Sequence, residues 1–283
     1  MSVFDDFVRK HDWLICVDSD GCVMDTMNHK HIHCFGPCLV TEWALEPWEE
    51  QVLRRWNHFN LFQMTRGINR FKSLAVILRE ISRDYTPILG VDALESWVNT
   101  ASALSDNDLV VAIDSTEDPD GKLCLTKALQ WSLAVNERIT RLPEDLKQPF
   151  FGAGECLRDM SRFADVAVIS GANRDAVEEE WEKFGLRAYA DILMAQDCGS
   201  ERLCIEKMLE FGYAPDHVLM VGDAPGDRDA AAENGVWFYP ILVTWEEESW
   251  EQLREQFLEI FHKGEYGQHQ AERTEVFTEN LGG

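Results

Sequence analysis

The sequence has little positive charge: 26 lysines and arginines stand against 51 aspartates and glutamates, for a formal net charge of −25 over 283 residues. Nucleic acids are held by clustered cations that displace counterions, so this balance disfavours a nucleic-acid partner. Anionic membrane surfaces are disfavoured on the same ground, and the acidity reads as a solubility property of the surface. Long apolar runs are missing too. Leu14–Val17 and Val166–Ile169 are strand-length, far below the roughly 20 residues a membrane-spanning helix needs. The first twelve residues carry three aspartates and no uninterrupted apolar stretch, so a secretory signal is not expected there. The eight cysteines have no regular spacing, which leads to an expectation of reduced thiols in the cytoplasm rather than a disulfide framework. Internal repeats and low-complexity tracts are absent.

What is present is material for packed cores: 45% hydrophobic residues, 11% aromatics and ten tryptophans. The length suggests two domains. Trp13–Val17 is a short apolar run that ends abruptly in Asp18-Ser19-Asp20-Gly21, the pattern of a buried strand delivering polar residues to its C-terminal end. The pattern recurs where Val166–Ile169 runs into Ser170-Gly171, Ile192–Met194 into Ala195-Gln196-Asp197, and Val218–Val221 into Gly222-Asp223. Helical stretches lie between these runs: Arg174–Phe184, Ser200–Phe211 with Ser200 as N-cap, and Asp227–Asn234 closed by Gly235. Strand, loop and helix in repetition predict an α/β fold with a doubly wound parallel sheet.

Met27–Pro149 differs, because its apolar residues fall at helical spacing. It reads as a helical insert, with helices expected over Pro47–Leu61, Ile68–Ile81, Val91–Leu104 and Leu123–Arg141. Breaks are expected at Pro87, Asp118–Gly121 and Pro143. The predicted organisation is a discontinuous Rossmann-like core, residues 1–26 with 150–283, and a helical cap, residues 27–149. Glu246–His262 reads as a final amphipathic helix, and the segment beyond Lys263 as an uninformative polar tail.

The chemistry concentrates in Asp18–Thr26. Two carboxylates at i and i+2 leaving a strand can aim into one pocket, and Gly21 lets the chain turn away behind them. One carboxylate can attack phosphorus while the other hands a proton to the leaving oxygen. A bound Mg²⁺ would offset the repulsion between these anions and a phosphate, and Gly222-Asp223-Ala224-Pro225-Gly226-Asp227 offers further hard oxygen ligands. In a doubly wound sheet the strand C-termini open on one crevice, so Asp18, Ser170 and Asp223 are expected to converge. Ser170 and the Gly171 N–H could hold phosphoryl oxygens there.

These three loops, in this order, resemble the haloacid dehalogenase-like hydrolases, whose first motif is Asp-x-Asp-Gly-x-x-x-Asp/Thr. The resemblance covers about Asp12–Tyr239, with the insert matching the helical-cap subclass in placement and type. It implies a phosphatase acting on a small phosphorylated metabolite with Mg²⁺ as cofactor. By the resemblance Asp18 is the nucleophile, Asp20 the general acid-base and a carbonyl ligand of the metal, Ser170 the phosphate-binding residue, Asp223 a direct metal ligand and Asp227 a support of the metal through water or from behind its ligands. Asp18, Asp20, Asp223 and Asp227 make up the implied metal set.

One family element departs. A lysine is expected near the start of the helix before the Gly222–Asp227 loop, and this chain has Glu201-Arg202 there, with Lys207 two turns further on. Arg202 or Lys207 is the candidate substitute, although a guanidinium is not equivalent to a compact ammonium. The departure keeps a noncatalytic or weakly active metabolite-binding protein as the alternative. A phosphomutase would share the core residues, and a phosphonate hydrolase would need an imine-forming cap lysine, nominally Lys30 or Lys72.

Other clusters have plainer accounts. His29-Lys30-His31-Ile32-His33-Cys34 and Cys38 offer zinc-type ligands, against a polar linker. Thr65–Lys72 gathers Arg66, Arg70 and Lys72 for an anionic substrate tail, against ion pairing with surface carboxylates. Trp43, Trp48, Trp56 and Trp131 read as core of the insert. Ser170 taken alone could be a helix N-cap.

Overall fold

In a computed structural model of the chain, residues 3–282 are described. They form two compact units, Met1–Met27 with Glu144–Gly283, and Asn28–Pro143.

The first unit is built on five parallel strands: β1 (Trp13–Asp18), β2 (Ala164–Ile169), β3 (Ile192–Met194), β4 (Val218–Gly222) and β5 (Trp237–Pro240), in the order β3-β2-β1-β4-β5. The fold is α/β, with a doubly wound, Rossmann-like sheet. Each of the four strands expected from sequence is present, and their central residues are buried without alternation, as in a sheet covered on both faces. The chain winds outward from β1 through β2 to β3, then returns to β4 on the other side of β1. The switch between β1 and β4 is where such sheets open a crevice at their carboxyl ends. Val17 is in register with Val168 and with Val221, so the residues leaving β2, β1 and β4 stand side by side about 5 Å apart.

Two features of this unit depart from the sequence reading. β5 was not anticipated; it is a four-residue strand ending in Pro240, which an edge strand tolerates because it needs no ladder donor on its outer side. The tail beyond Lys263 is ordered, with a helix over Gln270–Asn280. Gln270 Oε1 accepts from the Phe238 N–H at 2.8 Å, and Phe277 packs edge-on against Phe238 at 5.2 Å. The tail therefore covers the exposed side of β5, a function its polar composition conceals. The expected helix over Glu246–His262 is present, with a π-helical turn at Leu253–Phe257.

The second unit is helical, with its longer helices at Gly36–Trp43, Glu49–Leu61, Arg70–Asp84, Val91–Thr100, Asp106–Ser115 and Pro119–Thr140. Trp56 and Trp131 are fully buried at its centre, 5.7 Å apart and edge to face. Asp118–Gly121, read as a break, is instead a helix start. Asp118 accepts from the Gly121 N–H at 2.8 Å, and Pro119 occupies the first helical position, where its missing N–H costs nothing. No helix among the described residues is long and apolar enough to cross a membrane.

Candidate active site

Asp18 is the last residue of β1, and Asp223 follows the last residue of β4. Asp227 lies in the first turn of the helix Pro225–Asn234 and bends back, its Oδ2 accepting from the N–H groups of Asp223 at 3.1 Å and Ala224 at 3.0 Å. One carboxylate oxygen from each of Asp18, Asp223 and Asp227 lies within 4.8 Å of the others. Among the described residues, this is the one group of three or more His, Cys, Asp or Glu side chains so placed.

The electrostatics follow from the crowding. Burial first, then the charges of Asp227, Asp223 and Glu201, push the Asp18 carboxyl well above the usual carboxylate range, against a lowering hydrogen bond from the Ser19 backbone. Asp227 is pushed the same way by burial, Asp223 and Glu201, opposed by its two backbone donors. Several carboxylates held together at such a cost are what a divalent cation relieves. An all-oxygen donor set suits a hard ion such as Mg²⁺ rather than zinc.

Asp20 lies two residues beyond Asp18 in a tight loop. Gly21 takes a positive φ of 97°, its N–H donates to the Met24 carbonyl at 2.9 Å, and the Val23 and Met24 N–H groups donate to the Ser19 carbonyl. The Thr26 hydroxyl donates to Asp20 Oδ1. Two tryptophans far away in sequence fix the same loop: Trp181 Nε1 donates to Ser19 Oγ at 2.9 Å, and Trp250 Nε1 donates to the Cys22 carbonyl at 3.0 Å. Nothing local in sequence marks these partners, because the contacts are made only once the helices dock on the sheet.

Ser170 follows β2 and is buried, and its Oγ accepts from the Ala172 N–H at 3.2 Å. It is not the N-cap of the next helix. Asn173 takes that place, accepting from the Asp175 N–H at 3.0 Å. Gly171 is exposed at the strand end. Asp18, Ser170 and Asp223 thus leave three adjacent strands, β1, β2 and β4.

The cations expected as substitutes for the family lysine are turned elsewhere. Arg202 pairs with Glu206 at 2.9 Å and Glu233 at 3.6 Å, and Lys207 pairs with Glu210 at 2.7 Å. After burial and the neighbouring aspartates, Glu201, one residue before Arg202, adds its charge in raising the Asp18 and Asp227 carboxyls. The sequence held the signal for it, an acidic residue where a base was expected.

The zinc-type cluster is not assembled. His31 Nδ1 accepts from Trp56 Nε1 at 3.1 Å, and its ring stacks on Phe35 at 4.6 Å, so His31 belongs to the aromatic core of the helical unit. The basic cluster is not a solvated ion-pairing surface either. Arg66 is buried and donates to the Leu61 carbonyl at 3.1 Å. Arg70 donates to Asn136 Oδ1 at 2.7 Å and Ser132 Oγ at 3.2 Å, with its guanidinium over the Phe35 ring, and burial lowers its pKa.

A family model for haloacid dehalogenase-like hydrolases matches residues 99–241, just over half of the chain. The match includes Ser170, Asp223 and Asp227. No curated protein sequence matches the chain. Solved structures similar to it include a haloacid dehalogenase-like family hydrolase from Streptococcus pneumoniae, at 13% identity over 81% of this chain and 83% of that one, with a TM-score of 0.43. Another is a proposed phosphoglycolate phosphatase from Lactobacillus delbrueckii subsp. bulgaricus, at 12% identity over 82% and 86%, with a TM-score of 0.46. A third is a proposed β-phosphoglucomutase from Thermotoga maritima, at 13% identity over 81% and 84%, with a TM-score of 0.43. The strand order and the family match carry the fold assignment, not these superpositions.

Proposed function

The chain belongs to the haloacid dehalogenase-like hydrolases, and from that premise we propose that it is a Mg²⁺-dependent phosphatase acting on a small phosphorylated metabolite. The observation that carries this reading is the meeting of the Asp18, Asp223 and Asp227 carboxylates at the ends of β1 and β4; Asp20 lies two residues beyond Asp18 and accepts from the Thr26 hydroxyl.

Asp18 is the nucleophile. Its carboxylate oxygen forms a bond to phosphorus as the ester P–O bond breaks, and Asp20 gives its proton to the leaving oxygen. Water then attacks the aspartyl phosphate, Asp20 takes the proton from that water, and Asp18 is released with inorganic phosphate. Ser170 and the Gly171 N–H hold the phosphoryl oxygens. Asp18, Asp223 and Asp227 would hold Mg²⁺, joined by the Asp20 carbonyl, and the ion would supply charge neutralisation at the nucleophile and phosphoryl group. The division into a core and a helical cap over residues 27–149 belongs to the same proposal.

Phosphate release from p-nitrophenyl phosphate and a panel of sugar and acid phosphates, with Mg²⁺ or EDTA, tests the reading. Release should require Mg²⁺ and vanish in Asp18→Asn. Absence of release from folded wild-type protein across the panel would overturn it. One observation favours a second reading, a noncatalytic metabolite-binding protein: Arg202 and Lys207 are both paired elsewhere, and Glu201 stands beside the site.

A further inference from the structure

Glu201 is the first residue of the helix Glu201–Leu209, directly after its N-cap Ser200. Its side chain reaches back over the end of β2: a Cβ placed on Gly171 would meet Glu201 Oε1 at 4.0 Å and no other atom within that distance. Burial and the neighbouring aspartates, and after them the charge of this same carboxylate, push the Asp18 and Asp227 carboxyls up. The neighbouring cations are engaged elsewhere: Arg202 pairs with Glu206 and Glu233, Lys207 with Glu210, and Arg174 bonds Asp197 and the Leu193 carbonyl. Among the described residues, no hydrogen bond or ion pair engages the Glu201 carboxylate.

We infer that Glu201 is a specificity-determining residue that makes this site discriminate against doubly charged phosphoryl groups in favour of singly charged ones. The inference rests on the phosphatase reading for its chemistry. A group transferred to Asp18 with its oxygens at Ser170 and the Gly171 N–H would place them against Glu201. Repulsion there scales with the charge on the transferred group, so an ordinary phosphate monoester dianion meets twice the penalty of a phosphonate monoester monoanion. The bonds made and broken are the same for both: Asp18 oxygen to phosphorus forms, phosphorus to leaving oxygen breaks, and Asp20 protonates the leaving group.

The test compares p-nitrophenyl phosphate with p-nitrophenyl methylphosphonate in wild type, Glu201→Gln and Glu201→Lys, with Mg²⁺. Removing the charge beside Gly171 should raise kcat/KM for the dianion about tenfold or more in Glu201→Gln. Glu201→Lys should rise further. The methylphosphonate should gain much less, so the ratio between the two substrates moves. Inorganic phosphate binding by calorimetry should tighten in the same order, and the difference should shrink in high salt. An unchanged ratio together with an unchanged phosphate Kd would overturn the inference. Failure of the phosphatase reading looks different: release that survives Asp18→Asn, or no release from any variant. In that case the phosphate Kd series alone decides, with tighter binding in the variants supporting the role of Glu201 and equal binding removing it.

Discussion

Asp227 lies so close to Gly222 that a Cβ on the glycine would fall 2.3 Å from the Asp227 Cγ. The last residue of β4 is therefore glycine because the carboxylate that turns back over it needs the space. Gly222→Ala should displace Asp227 from its backbone donors. A loss of about 1–3 kcal/mol in urea unfolding is expected from overpacking. The stabilisation of the protein by Mg²⁺ should be reduced with it, and a variant with undiminished Mg²⁺ response would show that Asp227 is not held by this contact.

Metal binding should be visible without turnover. With Mg²⁺ at about 100 times its Kd, the melting temperature should rise by roughly 5–10 °C over the EDTA value. Asp223→Asn should lose this shift. In EDTA the same variant should be more stable than wild type by about 1–3 kcal/mol, because a charge has left a crowded carboxylate cluster. Differential scanning fluorimetry reads both effects.

Thr26 orients the group assigned to proton transfer. Thr26→Ala removes the hydroxyl that donates to Asp20 Oδ1. In steady-state kinetics kcat should fall about 10- to 100-fold with little change in KM, the signature of a misplaced acid-base rather than lost binding. Thr26→Ser should recover most of the rate.

Asp159 ties the helix Ala153–Met160 to the C-terminal helical segment through Arg254, at 2.7 Å. The hydrogen bond from Arg254, then the Arg162, Arg254 and Arg158 charges, outweigh partial burial and hold the Asp159 carboxyl below its ordinary value. Its contribution is therefore complete above the unfolded-state value near about 3.9 and is lost as pH falls through the lower folded-state value. The site is partly exposed, so Asp159→Asn should cost only about 0.5–1 kcal/mol at pH 7. Paired urea titrations at pH 7 and pH 3 should show the gap closing in acid.

The tail should be part of the cooperative fold. Phe277 is buried against Phe238 of β5, and Phe277→Ala should destabilise the protein by about 3 kcal/mol. Unchanged stability would mean that the helix Gln270–Asn280 only rests on the sheet.

Much of this molecule was readable along the chain. Four strands announced themselves because a buried parallel strand must be apolar throughout and must turn polar where it leaves the sheet. β5 escaped because it is short and aromatic, with a closing proline. The tail escaped because a few scattered residues, Tyr266, Gln270, Phe277 and Asn280 among them, carry its docking within a polar stretch. Arg66 and Arg70 read as cations for a substrate tail or for surface ion pairs, since sequence does not reveal whether a guanidinium will find carbonyls, amides and an aromatic face inside a helical unit.

The sequence by itself determined the vocabulary of the proposed site: Asp18 and Asp20 at i and i+2, Ser170 after one strand, and Asp223 and Asp227 after another. Side-chain type and spacing within a loop are local properties, and strand ends in a wound sheet point one way. Tertiary structure alone decided which charges meet. Asp227 faces Asp18 because β1 and β4 are neighbours, Trp181 and Trp250 brace the loop from more than 150 residues away, and Arg202 turns outward to Glu206 while Glu201 turns inward. Electrostatic interaction depends on distance in space, and successive residues at a helix start differ in direction by about 100°. At the first turn of that helix, one residue of register separates a carboxylate beside Gly171 from a guanidinium paired with Glu206 and Glu233.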